Sequence, residues 1–162
     1  MKKEHKDPHL DILKKGTIAV ACHDAGATNI IINWLKVMPE IKFRAHLSGP
    51  AEDLWSSEFP DFTNFSLEDS LHGSSLMLSG TGWESNLEHN ARLFASSLGI
   101  YSIAVVDHWV NYSSRFERDN KIMLPDEIWL IDQYGYNLAK SIFTKTTIKL
   151  LPNYYLDKKV QL

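Results

Sequence analysis

The sequence predicts an α/β domain: a parallel sheet with helices on both faces. Three observations predict it. Short β-branched apolar runs recur along the chain, a polar or glycine-rich turn follows most of them, and segments of helical spacing separate them. Strands covered on both faces read as continuous apolar runs, and parallel neighbours need a crossover that is usually helical. A chain of 162 residues is sized for one domain with a sizeable core. About six to seven strands are expected.

The elements follow in order. Residues 17–22 (TIAVAC) are the first buried strand, and His23-Asp24-Ala25-Gly26-Ala27 is its turn. Residues 28–38 have helical spacing, with Ile30, Ile31, Trp34, Leu35 and Met38 on one side and Pro39 as the stop. Residues 43–47 read as a strand, 51–59 as a short helix stopped by Pro60, 62–65 as a weak strand and 67–71 as a helical turn. Residues 75–79 are a buried strand, followed by the tight turn Gly80-Thr81-Gly82. Residues 83–98 give the strongest helical pattern, with Leu87, Ala91, Phe94 and Leu98 in one stripe and Gly99 as its end. Strands are expected at 101–106, 127–131 and 146–150, with a helix over 133–143. Residues 109–126 are the one long irregular connection, and such loops are functional or mobile. No internal repeat or low-complexity segment appears.

Composition narrows the function. Lys plus Arg is 17 and Asp plus Glu is 20, a net charge of −3, so no basic excess is available to neutralise nucleic-acid phosphates. Cys22 is the only cysteine, which excludes an internal disulfide and fits a reducing cytoplasm. No apolar run approaches the roughly 20 residues that span a bilayer. Residues 1–15 include Lys2, Lys3, Lys6, Lys14 and Lys15 and lack the apolar core of a signal peptide. They read as a flexible, solvated leader to a domain over 16–153, with 154–162 a tail or the start of a linker.

Three segments carry chemistry. The densest is Asp107-His108-Trp109, with Asn111, Tyr112 and Arg115 close behind, at the end of the apolar run 103–106. Ligands of open α/β sheets bind outside the carboxyl ends of the strands. Arg115 suits a phosphate or carboxylate, and Trp109 and Tyr112 suit stacking on a base or sugar. Asp107 and His108 cannot pair if both lie on an extended strand, because neighbours there point to opposite faces. The alternative is an ordered loop that braces the sheet edge. His23-Asp24-Ala25-Gly26-Ala27 follows the first strand, where His23 suits proton transfer near neutral pH and Asp24 either orients it or caps the helix. Gly80-Thr81-Gly82-Trp83-Glu84 offers close backbone approach and helix N-terminal amides for an anion. Its alternative is a tight turn in which Thr81 caps and Glu84 closes a capping box.

His23, Asp24, Asp107 and His108 together are also conceivable as N and O ligands of zinc, but no HExxH spacing or cysteine pair supports that, and neither metal nor cofactor is expected. His46, His72 and His89 read as structural or solvated, Cys22 as a small core residue, and Trp34, Trp55 and Trp129 as packing.

Taken together, the motifs resemble the N-terminal Rossmann-like half of GT-B-type nucleotide-sugar enzymes: glycosyltransferases, UDP-GlcNAc 2-epimerases and UDP-sugar hydrolases. The closest local likeness is to the hydrolases, which carry a catalytic His in the turn after the first strand and a Val-Asp-His-aromatic strand end. Here those are His23 or its neighbours and Val106-Asp107-His108-Trp109. The resemblance spans roughly residues 16–153. Two departures stand out: the first turn lacks the double glycine common in the class, and the chain stops near Asn153-Tyr154-Tyr155-Leu156, where a second domain would begin.

The resemblance implies an enzyme domain for glycosyl transfer or hydrolysis in surface polysaccharide or glycoconjugate synthesis, with a nucleotide-sugar or sugar-phosphate ligand and a partner domain or chain. His23 or His108 would be general base, Asp24 or Asp107 would orient it, and the Gly80–Gly82 amides with Arg115 would hold phosphate charge. From a different class, a non-catalytic sugar- or partner-binding module uses the same residue types. A metal-dependent hydrolase is the third reading.

Overall fold

In a computed structural model, residues 7–156 are described. Fourteen elements follow a short 3-10 helix at Pro8–Lys14: β1 (Ile18–Cys22), α1 (Ala25–Val37), β2 (Phe43–Leu47), α2 (Pro50–Glu58), α3 (Leu67–Leu71), β3 (Met77–Ser79), α4 (Leu87–Ser97), β4 (Ser102–Val106), α5 (Tyr112–Arg115), β5 (Glu117–Arg118), β6 (Lys121–Ile122), β7 (Glu127–Leu130), α6 (Gln133–Ile142) and β8 (Thr147–Leu150). Six strands form one parallel sheet in the order β2-β1-β3-β4-β7-β8. The sheet is compatible with a Rossmann-like domain. No described helix is long and apolar enough to cross a membrane.

The pleat sorts side chains by period two. Ile18, Val20, Cys22, Ile103, Val105 and Trp129 face a core with Leu10, Leu13, Ile31, Trp34 and Trp55, under the 3-10 helix, α1 and α2. Ala19, Ala21 and Met77 face Leu71, Ala91 and Ala95 of α3 and α4. Ala104, Val106, Ile128 and Leu130 face Phe116 and Ala139. Helices therefore cover both faces, as the continuous apolar strands require.

Four expectations need correction. The leader is anchored to the domain over residues 8–14 by two buried leucines. Asp7 caps the 3-10 helix by accepting from the N–H of His9 at 2.8 Å, and Leu10 and Leu13 are fully buried against the α1 face. Two leucines among charges give too little periodicity to reveal this. Lys2, Lys3 and Lys6 lie outside the described residues, as do residues 157–162 of the expected tail.

The weak strand over 62–65 is a single bridge between Asn64 and Ala45. The Asn64 amide accepts from the N–H of Leu47 and donates to its carbonyl, both at 2.9 Å, so a side chain caps that edge instead of a strand.

Helix α4 begins at Leu87, not at 83, and its buried face is Glu88, His89, Ala91, Arg92 and Ala95. Leu98, placed in the buried stripe, is 53% exposed. Finally, the connection 109–126 is ordered by α5 and the hairpin β5–β6, which turns on left-handed Asp119 and Asn120 (φ 53° and 62°).

Candidate functional site

After β1 the chain goes to β2 on one side and then to β3 on the other. The gap between the carboxyl ends of β1 and β3 is therefore the topological switch point, where ligands of such sheets bind. The turn bearing His23 and Asp24 and the turn Gly80-Thr81-Gly82 flank it.

His23 Nδ1 and Asp24 Oδ1 are 2.6 Å apart. Asp24 holds the N-cap position of α1, yet its side chain accepts no helix N–H, and its backbone is extended (φ −83°, ψ 148°). Of the two roles open to it, orienting His23 is the one it takes. Both side chains are partly exposed, at 23% and 35%.

Glycines let the loops close around these groups. A β-carbon on Gly82 would fall 1.8 Å from Asp24 Oδ2, one on Gly26 1.8 Å from Asp107 Oδ2, and one on Gly49 2.6 Å from His23 Nε2. The turns after β1, β3 and β4 thus meet through carboxylates seated on bare backbone, and the turn after β2 meets the His23 ring.

Two of the three amides of the Gly80–Gly82 turn are taken up inside the protein. Gly80 N–H donates to the Ala21 carbonyl at 3.2 Å, and Gly82 N–H to Glu88 Oε1 at 2.8 Å. With α4 starting at Leu87, the turn is also separated from a helix N-terminus. The capping box does not form: Thr81 is buried and donates to the Val105 carbonyl at 2.9 Å, while Glu84 is exposed. Trp83 is 42% exposed.

Arg115 is 2% exposed and spends its guanidinium inside the protein. Nε donates to the Val110 carbonyl (3.0 Å), Nη2 to the His108 carbonyl (3.2 Å), and Nη1 to the carbonyl and hydroxyl of Thr81 (3.3 and 3.2 Å) and to Asp107 Oδ1 (3.2 Å). This is the bracing role weighed for the loop. Its upper face carries the Trp83 ring, 4.8 Å from centroid to guanidinium carbon. Tyr112 is buried and donates to the Gly135 carbonyl at 3.0 Å; burial pushes its phenol up to about 12. Asn111 enters α5 in a left-handed conformation (φ 56°).

His108 and Trp109 point outward. Their rings stack at 5.2 Å, and Trp109 meets the edge of Tyr134 at 5.5 Å. Trp109 is 47% and Tyr134 63% exposed, so the loop after β4 and the first turn of α6 present a row of open aromatic rings. The metal convergence does not occur. Asp107 is held by Arg115, His108 by Trp109, and among the described residues no group of three His, Cys, Asp or Glu side chains is gathered as ligands.

Sequence reasoning missed Tyr134, Glu88 and Arg92. Tyr134 opens α6 just beyond the end of β7, and strand-end position alone would have flagged it. Glu88 and Arg92, one helical turn apart, lie outside the stripe expected of this helix and are fully buried. Burial pushes the Glu88 carboxyl up to about 7, against the pull of Gly82 N–H and Arg92. Burial also lowers Arg92, to about 10, against the Glu88 charge. Arg92 Nη1 donates to Ser79 Oγ (3.1 Å) and the Gly80 carbonyl (2.8 Å), and Nη2 to the Arg115 carbonyl (3.2 Å).

No family model, characterised protein or solved structure matches the chain. The likeness to GT-B-type enzymes therefore rests on the motifs alone.

Proposed function

We propose that this domain holds a sugar at the carboxyl edge of its sheet and that His23 takes a proton there from a hydroxyl or water, in transfer to or hydrolysis of a nucleotide-linked sugar. The observation that carries the reading is the 2.6 Å contact of His23 Nδ1 with Asp24 at the switch point. A carboxylate on Nδ1 fixes the ring orientation and supports the imidazolium formed when Nε2 accepts a proton. His108 lacks such a partner, since Asp107 faces Arg115, so the base is assigned to His23.

The aromatic row His108–Trp109–Tyr134 supports a sugar ligand. Open rings at a strand-end edge give pyranose faces an apolar surface, and water-exposed rings in contact mark binding surfaces. With the Gly80 and Gly82 amides and Arg115 committed internally, the diphosphate of a nucleotide sugar would need other donors. We assign these to a second domain or partner chain, in keeping with the GT-B resemblance, and place the activity in cytoplasmic polysaccharide or glycoconjugate synthesis.

A module that binds sugar without reacting is the second reading, favoured by the same aromatic row. One experiment separates them. Amide resonances of the chain are followed during titration with neutral oligosaccharides, nucleoside diphosphates and nucleotide sugars. Release of nucleoside diphosphate is followed in parallel for wild type and His23→Ala. Shifts at Trp109 and Tyr134 with turnover lost in His23→Ala support the enzyme. Shifts with neutral oligosaccharides but none with nucleotide sugars, and no turnover in either protein, support the binding module. Resonances that stay still across the whole panel overturn both.

A further inference from the structure

We propose that Glu88 is a positioning residue for the His23–Asp24 pair, acting through the Gly80–Gly82 turn. A chain of contacts carries it. Glu88 Oε1 accepts from the N–H of Gly82 at 2.8 Å. Its Oε2 occupies the space of a missing side chain at Gly80, 1.9 Å from where that β-carbon would be. Gly82 in turn has Asp24 Oδ2 seated against its Cα, 1.8 Å from its own β-carbon position, and Asp24 Oδ1 reaches His23 Nδ1. Moving Glu88 therefore moves Gly82, the surface on which Asp24 rests.

A carboxyl is a costly choice for a brace in this place. Glu88 is completely buried, and its Oε2 has no hydrogen-bond partner. Arg92, the nearest buried cation on the helix face, spends both terminal nitrogens on Ser79, Gly80 and Arg115. A Gln would satisfy Gly82 equally well and carry no charge. What the carboxyl adds is a charge that responds to pH beside the pair. The groups that act on it are Arg92 on its own helix and Asp24 and the His23 backbone from the β1 turn; Cys22 at the end of β1 feels its charge in turn. With its carboxyl pushed up to about 7, it changes charge in the range where a histidine works.

The inference uses the base assignment of His23 only for its consequence, because the test reads the imidazole directly. In uniformly folded, histidine-labelled full-length protein, the Nδ1 and Nε2 resonances of His23 are followed from pH 5 to 9. In wild type, the His23 resonances are expected to show an inflection near pH 7 that comes from the charge change of Glu88. Glu88→Gln keeps the acceptor for Gly82, so it should retain the wild-type Nδ1 position and lose that inflection. Glu88→Ala should shift Nδ1 toward free imidazole as Asp24 is released. A folded Glu88→Ala with unchanged His23 resonances overturns the proposal. Should Glu88→Ala not fold, Glu88→Gln decides: a His23 profile superimposable on wild type overturns it equally. Sugar binding with no response of His23 to Glu88 would defeat this inference alone. A responsive His23 with no sugar binding would defeat the proposed function alone.

Discussion

The carboxylate of Asp107 stands where residue 26 would carry a side chain: a β-carbon on Gly26 would fall 1.8 Å from Asp107 Oδ2. Gly26 lies in the first turn of α1, where alanine ordinarily stabilises by about 0.5–1 kcal/mol. Here the sign reverses. Gly26→Ala is expected to destabilise by roughly 1–3 kcal/mol, because Asp107 and the Arg115 loop behind it must give way. Urea denaturation checks it, and a stabilised variant would show that Asp107 is free to leave.

Arg115→Lys keeps the charge and loses the fork. The carbonyls of Val110, Thr81 and His108 cannot all be reached by one ammonium. A loss of at least about 2 kcal/mol is expected, together with broadened amide signals over 108–116. A Lys variant as stable as wild type would mean that water replaces the fork at no cost.

Trp109→Ala and Tyr134→Ala should leave stability within about 0.5 kcal/mol, since both are surface residues, Trp109 about half exposed and Tyr134 more so. Oligosaccharide affinity should fall about tenfold or more for each, an effect of aromatic-contact size. Calorimetric titration reads this, and unchanged affinity in both variants removes the row from the site.

The buried Glu88 sets a pH dependence of folding. Its carboxyl sits at about 7 in the folded protein, above the ordinary value of 4.5. The folded state therefore binds more protons than the unfolded state between those values, and stability falls as pH rises through that window. The contribution is on the order of 3 kcal/mol. His89, lowered by burial and by Arg92, opposes it: its unfolded state binds more protons, so stability rises as pH climbs toward 6.5. The clean readout is the difference between wild type and Glu88→Gln from pH 4.5 to 8. A difference independent of pH would place the Glu88 carboxyl at its ordinary value.

Much of this architecture was legible because buried parallel strands announce themselves. Runs such as 17–22 and 101–106 become β1 and β4 nearly to the residue, while the switch point comes from a strand order that local runs do not reveal. What escaped was decided by partners far along the chain. Whether Asp24 would cap α1 or orient His23 depended on Gly82 leaving it room. Arg115 looked like an anion-binding fork because nothing in the sequence reveals the ring of carbonyls that surrounds it. Glu88 and Arg92 broke the stripe of α4 because charges are buried only where specific partners await them: the Gly82 N–H for Glu88, and acceptors from β3 and α5 for Arg92.

The order of the strands also governs when the site comes into being during folding. β1 lies between β2 and β3, so the earliest strand of the sheet finds its second neighbour only after two crossovers. No pair in the main sheet is a local hairpin, and contacts of high sequence separation make folding slow, on the order of milliseconds to seconds. During synthesis, His23 and Asp24 emerge long before Gly82 and Asp107. The pair is seated only once β3 and β4 have joined β1 and brought Gly82 and Asp107 to it, which couples the chemistry of this edge to assembly of the central strands.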